Sequence, residues 1–194
     1  MDFAHAPGAT PLDPDEAEGL IPLHITTRAQ LDEWEHLNII EGEEWAFAKK
    51  RSDVLTDHFF RELHRRMFGS TWKWAGTYRK TDKNIGIPWS RIPEGVRNLC
   101  ADARAWIEYT SFSAEEAAVR LHLRSVQVHA FPNGNGRHAR LLADVLLHTL
   151  GLPRLPWRGA DLQRPSDTRD AYISALRRAD LGEIAPLVLI ARTP

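Results

Sequence analysis

A chain of 194 residues with 43% apolar side chains can bury a core of its own, and its length suits one domain with a short appendage. A formal charge of −1 gives no general attraction for nucleic acid or acidic membranes, so any anion site has to be local. One cysteine, Cys100, excludes an internal disulfide framework, and the most apolar stretch, 141–150, contains Asp144 and His148 and falls short of the ~20 residues a membrane span needs.

No secretory signal opens the chain, so a cytoplasmic protein without direct nucleic-acid or membrane partners is the expectation. Residues 1–22 hold Pro7, Pro11, Pro14 and Pro22 among scattered acids with little periodicity, and are expected to form an extended arm ahead of a single domain over 23–194. Thr27 with Gln30 makes a capping box before Leu31, Trp34 and Leu37, which predicts a helix over about 27–40, with Gly42 as a possible stop. Val54, Leu55, Phe59, Leu63 and Met67 describe an amphipathic helix ending near Gly69. The pattern then changes: "WKWAGTYRKTDKNIGIPWSRIP", residues 72–93, favours an irregular or hairpin-like segment, the only plausible β element.

Helix resumes over 94–109 on a stripe of Val96, Leu99, Ala103, Trp106 and Ile107. Ser113 with Glu116 caps a helix over 114–128 that leaves polar side chains only the narrow band Glu116, Arg120, Arg124 and Gln127. A second helix of this kind spans about 137–150, and two more are expected near 166–179 and 182–191. The sum is an all-α domain with one irregular hairpin.

Between the two core helices lies "VHAFPNGNGRHAR", residues 128–140. Glycines let backbone N–H groups converge, and the helix that follows begins with free N–H groups and the positive end of its dipole, so 134–137 suits an anion. Arg137 and Arg140, three apart, could grip different oxygens of one phosphate-bearing ligand. His129 is placed to take a proton from a hydroxyl that attacks a phosphoryl group.

Other readings compete. "GNGRHA" fits the dinucleotide pattern G-x-G-x-x-A, but that pattern should follow a strand, and 114–128 has helical periodicity. A metal cluster of His122, His129, His138 and His148 matches no familiar zinc spacing. The plainest alternative is a glycine-broken turn with Arg140 paired to Asp144 one helical turn on.

The stretch resembles the Fic-family signature H-P-F-x-D/E-G-N-G-R-x-x-R at His129, Phe131, Gly134, Asn135, Gly136, Arg137 and Arg140. "WAGTYR", 74–79, resembles the entry to the family's target-docking flap, and "YISALRRADLGEIAPL", 172–187, its closing helices, so the likeness runs from about residue 30 to the C-terminus. The full pattern is particularly similar to the subgroup called mobile mystery protein B, whose members are associated with a helix-turn-helix partner. The resemblance implies a Fic-fold helical bundle with one β-hairpin, the flap, over the active-site loop. It also implies a protein adenylyltransferase that moves AMP from ATP, with magnesium, to a hydroxyl of a target protein.

By the same resemblance His129 is the general base, and Phe131 fixes the loop in the core. Gly134, Asn135 and Gly136 cradle phosphates, Arg137 and Arg140 hold the β and γ phosphates, and Thr81, Asp82, Lys83, Asn84, Ile85, Gly86 and Ile87 form the flap. Two positions depart from the signature. Ala130 replaces proline. Asn133 replaces the acid that binds magnesium; an amide oxygen can coordinate this hard cation but brings no charge. Relatives that transfer UMP, phosphate or phosphocholine, and a non-catalytic nucleotide- or protein-binding module, are the alternatives this leaves open. Finally, "LNIIEGE", 37–43, within a candidate inhibitory helix near 27–45, resembles the family's S/T-x-x-x-E-G/N brake, with Leu37 in place of the hydroxyl residue; an ion pair of Glu41 with Arg140 is the expectation.

Overall fold

The computed structural model describes residues 13–157 and 166–194, and over these the chain forms α1 (Pro14–Ala17), α2 (Arg28–Phe47), α3 (Asp57–Phe68), a 3-10 turn (Trp89–Arg91), α4 (Ile92–Glu108), α5 (Ala114–Val128), α6 (Asn135–Thr149), α7 (Asp167–Asp180) and α8 (Ala185–Arg192). The starts are written in the sequence. Thr27 accepts the Gln30 N–H at 3.3 Å while Gln30 Oε1 accepts the Thr27 N–H at 3.1 Å, and Thr56, Ser113 and Ser166 cap α3, α5 and α7 with their hydroxyls.

Helix α2 does not stop at Gly42 but runs through it. A glycine inside a helix costs about 1 kcal/mol of propensity. Here its missing side chain is what lets the helices meet, because a Cβ would stand 2.9 Å from Met67 Cα on α3. Helices α5 and α6 make the most extensive pair, with α4 and α8 against α5, α2 and α3 against α6, and α7 on α8. Phe59, Phe60 and Leu63, Val119 and Leu121, and Leu142, Val145 and Leu147 fill the space between them. The peptide that joins α5 to α6 therefore leaves the middle of the core, which gives the loop a rigid frame on both sides.

Two expectations change. Among the described residues there is no strand, only an isolated antiparallel bridge between Leu20 and Trp72, and 80–88 is a loop rather than a hairpin. Gly86 has a φ of 98° and Pro88 cannot donate to a ladder, so a regular strand cannot be drawn through this segment. The arm is also less extended than its prolines suggest. Its described part, 13–22, includes α1 and lies on the segment after α3: Ile21 N–H donates to Thr71 O at 2.9 Å, Lys73 N–H to Gly19 O at 2.9 Å, and Trp74 Nε1–H to Glu16 O at 2.9 Å. Residues 1–12, with Pro7 and Pro11, lie outside the described residues.

Candidate active site

Helix α5 ends on His129, whose φ of 50° puts a non-glycine residue in the left-handed region. Such a backbone costs on the order of 1 kcal/mol and persists when its surroundings hold it. Arg79 does so, donating from Nε to His129 O at 2.7 Å and from its own N–H to Ala130 O at 3.0 Å. The chain then enters the core at Phe131, fully buried, with ring centres 3.7 Å from His64 and 5.5 Å from Phe60.

Asn135 closes the loop on itself: its Oδ1 accepts the Phe131 N–H at 2.9 Å and its Nδ2 donates to Phe131 O at 2.8 Å. Gly134, with a φ of 78°, turns the chain into α6, and a Cβ there would lie 2.7 Å from the Phe68 ring. The first N–H groups of α6, at Asn135, Gly136 and Arg137, have no acceptor within the helix and sit at its positive end. The loop thus keeps the features of an anion cradle.

His64 forms its floor. The ring donates from Nε2 to Asn133 O at 3.0 Å and accepts the Gly76 N–H on Nδ1 at 3.1 Å, a pattern only the neutral ring can make. Burial, with His138 and Arg137 nearby, holds its pKa well below the usual imidazole range. His138, on α6, donates from Nε2 to Phe60 O at 2.8 Å, and burial lowers its pKa to about 4. The candidate base behaves alike: burial, then the charges of Arg79 and Lys83, lower His129 to about 4, so it is neutral and able to accept a proton at physiological pH. Among the described residues the histidines do not gather into a metal cluster.

The two arginines differ. Arg137 NH1 is 2.6 Å from Glu35 Oε2, and Trp72 Nε1–H donates to the other carboxylate oxygen at 2.7 Å. Glu35 is on α2 and only 4% exposed. Arg140 has no carboxylate partner among the described residues; its guanidinium carbon lies 5.8 Å from the centre of the Tyr172 ring. Asp144 is not its partner either, since that carboxylate accepts from Leu155 N, Trp157 Nε1 and Arg154 Nε at 3.2, 3.3 and 3.3 Å.

Glu41 is therefore not where the brake motif puts it. It is exposed and accepts from Asn38 Nδ2 at 3.4 Å, with Leu37 also exposed. At roughly 100° per residue, the six positions from Glu35 to Glu41 turn the helix far enough that both cannot face α6. The acid that reaches a signature arginine is Glu35, at Arg137.

Asn133 is engaged within the loop. Its Oδ1 accepts the Gly134 N–H at 2.6 Å and lies 3.4 Å from Arg137 NH2, and among the described residues no group of three His, Cys, Asp or Glu side chains converges. A neutral, engaged oxygen with a cation beside it is a weaker ligand for a hard divalent ion than the acid of the signature would be.

The flap, 81–87, lies over His129: a Cβ on Gly86 would stand 2.6 Å from His129 Cβ. Arg79, 2% exposed, gathers its ends by donating from NH1 to Thr81 O at 2.7 Å and from NH2 to Ile87 O. Asp82 accepts the Trp89 N–H at 2.8 Å. Lys83 does not face outward; its Nζ is 2.8 Å from Asp13 Oδ2 and 2.6 Å from Glu16 Oε2, while Thr81 Oγ1 donates to Asp13 Oδ2 at 2.8 Å. Asn84, Ile85 and Gly86 are exposed.

The signature loop and flap are thus brought together, Glu41 is not, and Arg79, His64 and Glu35 join the site from outside it. Arg79 ends the flap-entry stretch "WAGTYR" and could have been suspected there; a histidine among the apolar positions of α3 and an acid on α2 carry no comparable signal.

Residues 54–147 match a family model described as the Fic/DOC family. Protein adenylyltransferase fic-1 of Caenorhabditis briggsae is 33% identical over 146 residues, 73% of this chain and 27% of that protein. The protein of the same name from Caenorhabditis elegans is 31% identical over 145 residues, again 73% and 27%. This chain spans about a quarter of the length of these curated relatives, at 27% each. The crystal structure of the N-terminal Fic domain of a VirB-translocated Bep effector from Bartonella quintana aligns with a TM-score of 0.69 at 18% identity, over 88% of this chain and 84% of that one. A structure of such a domain from the same organism with bound ADP aligns with a TM-score of 0.67 at 16% identity, over 91% and 94%. At these identities the likeness is one of fold.

Proposed function

The chain carries a Fic/DOC family domain, and from that premise we propose that it transfers AMP from ATP to a hydroxyl side chain of a target protein. The observation that carries the reading is His129: a neutral imidazole in a braced left-handed backbone, between the exposed flap and an open helix N-terminus. The target hydroxyl oxygen attacks the α-phosphorus, the bond from that phosphorus to the oxygen bridging to the β-phosphate breaks, pyrophosphate leaves, and the hydroxyl proton passes to His129. Gly134, Asn135 and Gly136 offer N–H groups to the phosphates, and Arg137 and Arg140 neutralise the charge that moves onto pyrophosphate. An extended target segment lies along the flap by backbone pairing, with exposed Ile85 and Trp89 beside it. By subgroup resemblance, a helix-turn-helix protein is the partner to test first.

ATP labelled at the α-phosphate, supplied with candidate target protein, tests the reading. Label transfers to protein in the wild type and falls at least about a hundredfold in His129→Ala, the usual loss on removing a general base. Transfer from the γ-position instead would overturn adenylylation in favour of phosphorylation. The engaged amide of Asn133, where the signature has an acid, favours a second reading, a nucleotide-binding module without transfer. Binding of ATP with no transfer in any variant would support it.

Regulation is the other half of the proposal. Glu35 occupies the Arg137 fork, and a phosphate that uses this fork has to displace the carboxylate. Glu35→Gln keeps the shape and the acceptor for Trp72 but removes the charge. Raised transfer would mark Glu35 as a brake; lowered transfer would mark it as the support that aims Arg137.

A further inference from the structure

Three helices contribute one polar side chain each to a buried contact beneath the loop: His122 from α5, Arg140 from α6 and Tyr172 from α7. The Tyr172 hydroxyl is 2.8 Å from His122 Nε2, and the Arg140 guanidinium lies beside the same side chain, its carbon 5.8 Å from the ring centre. Gly136 borders the contact, since a Cβ there would be 3.8 Å from Arg140 NH1 and 4.0 Å from the Tyr172 hydroxyl. The hydroxyl thus sits under the start of α6, where the cradle N–H groups are.

The direction of each proton follows from the inventory. Arginine can only donate, so a Tyr172 oxygen that serves Arg140 accepts from it and gives its single proton to His122 Nε2. His122 is then the tautomer protonated on Nδ1, and that buried nitrogen has no hydrogen-bond partner among the described residues. Burial and the neighbouring Arg140 hold its pKa at about 3, which keeps Nε2 available as an acceptor.

We propose that Tyr172 is a positioning residue for Arg140: its hydroxyl, oriented by His122, aims the guanidinium at the terminal phosphates of the nucleotide. The inference rests on the reading that Arg140 binds those phosphates. Arg137 is held by a carboxylate, which neutralises the fork and competes with phosphate. A phenol holds Arg140 without either effect, so this fork is fixed in place and keeps its full charge.

The test is the ratio of ATP affinity to AMP affinity, measured by calorimetry on one preparation, where any unfolded fraction cancels. AMP lacks the phosphates in question and serves as the internal control. Tyr172→Phe keeps the ring and loses the hydroxyl, and should weaken ATP about tenfold while AMP is unchanged. Arg140→Ala should collapse the ratio further. His122→Gln, which can still accept from the hydroxyl, should preserve the ATP preference, whereas His122→Leu should reduce it.

If Arg140→Ala collapses the ratio and Tyr172→Phe leaves it at the wild-type value, the positioning role is wrong although the phosphate reading stands. Equal losses of ATP and AMP in Tyr172→Phe would reduce the residue to a packing role and also overturn the proposal. An unchanged ratio in Arg140→Ala would remove the phosphate reading itself, and this inference with it.

Discussion

The loop that follows His129 and the flap that covers it are both irregular, yet they are held in opposite ways. The loop is closed by its own residues: Asn135 bonds both backbone groups of Phe131, and Asn133 bonds the Gly134 N–H next to it. A distant support, His64, offers a neutral ring that fits the bonds already there. The flap has little of this. Its ends are collected by Arg79, Lys83 is held by Asp13 and Glu16 some 67 to 70 residues earlier in the chain, and Gly86 and Pro88 prevent it from closing as a ladder. A locally closed loop can present fixed N–H groups to a nucleotide, whereas a segment pinned only at its ends can take up the backbone of an extended target. The rigid half suits the ligand that never varies, and the adaptable half suits the one that does.

Acid should break the rigid half first, and with the largest effect. His64, His122, His129 and His138 all have folded-state pKa values below the ordinary 6.5, the last three at about 3, 4 and 4. Between pH 6.5 and about 4 the unfolded chain therefore binds protons that the folded chain refuses. Stability is fully present above pH 6.5 and is lost as pH falls through that window, at up to about 1.4 kcal/mol per pH unit for each group. Thermal melts followed by circular dichroism should show the midpoint dropping steeply from pH 6.5 to 4. A flat midpoint across that range would mean that the histidines are already charged, and that the floor of the loop is not the neutral ring its bonds require.

The same contrast decides how much could be read from the sequence. The helices were legible because caps and apolar spacing are local, as at Thr27, Ser113 and the leucines of α6. The loop was legible because seven signature positions lie within twelve residues, and its bonds join neighbours. Glu35, His64 and Arg79 were not, because each acts through a contact with a distant segment: Glu35 with Arg137, His64 with Asn133, Arg79 with His129. Gly42 misled in the same manner. It reads as a helix stop, and only the approach of Met67 shows why the helix needs it there. The brake failed for a geometric reason, since a motif resemblance fixes positions along α2 but not which face of α2 the rest of the bundle covers.

Arg79→Gln should cut the flap loose while leaving the loop closed, an intermediate effect. The variant loses the charged fork that joins Thr81 O and Ile87 O, so the KM for a protein target should rise about tenfold, the equivalent of about 1.4 kcal/mol of positioning. ATP affinity should change little, because Asn135 still closes the cradle. Removing this cation also relieves one cause of the low His129 pKa, so the acid limb of the rate should move toward higher pH. Loss of ATP affinity equal to the loss of target binding would erase the distinction between the two halves.

The smallest effect should come from the clip between the N-terminal segment and the flap. Asp13→Asn with Glu16→Gln removes both charges from Lys83, whose side chain is only 4% exposed. Asp13 itself is partly exposed, at 43% for its side chain, so its pair is screened, and the two changes together should lower stability by no more than about 1 kcal/mol. The local consequence should be larger than the global one. Freed from its acids, Lys83 can turn to solvent, and amide exchange in 81–87 should speed up while the hydrogen-bonded amides of His138 to Arg140 keep their protection. Exchange that rises equally in both segments would show that the arm braces the whole site and that flap and loop move as one body.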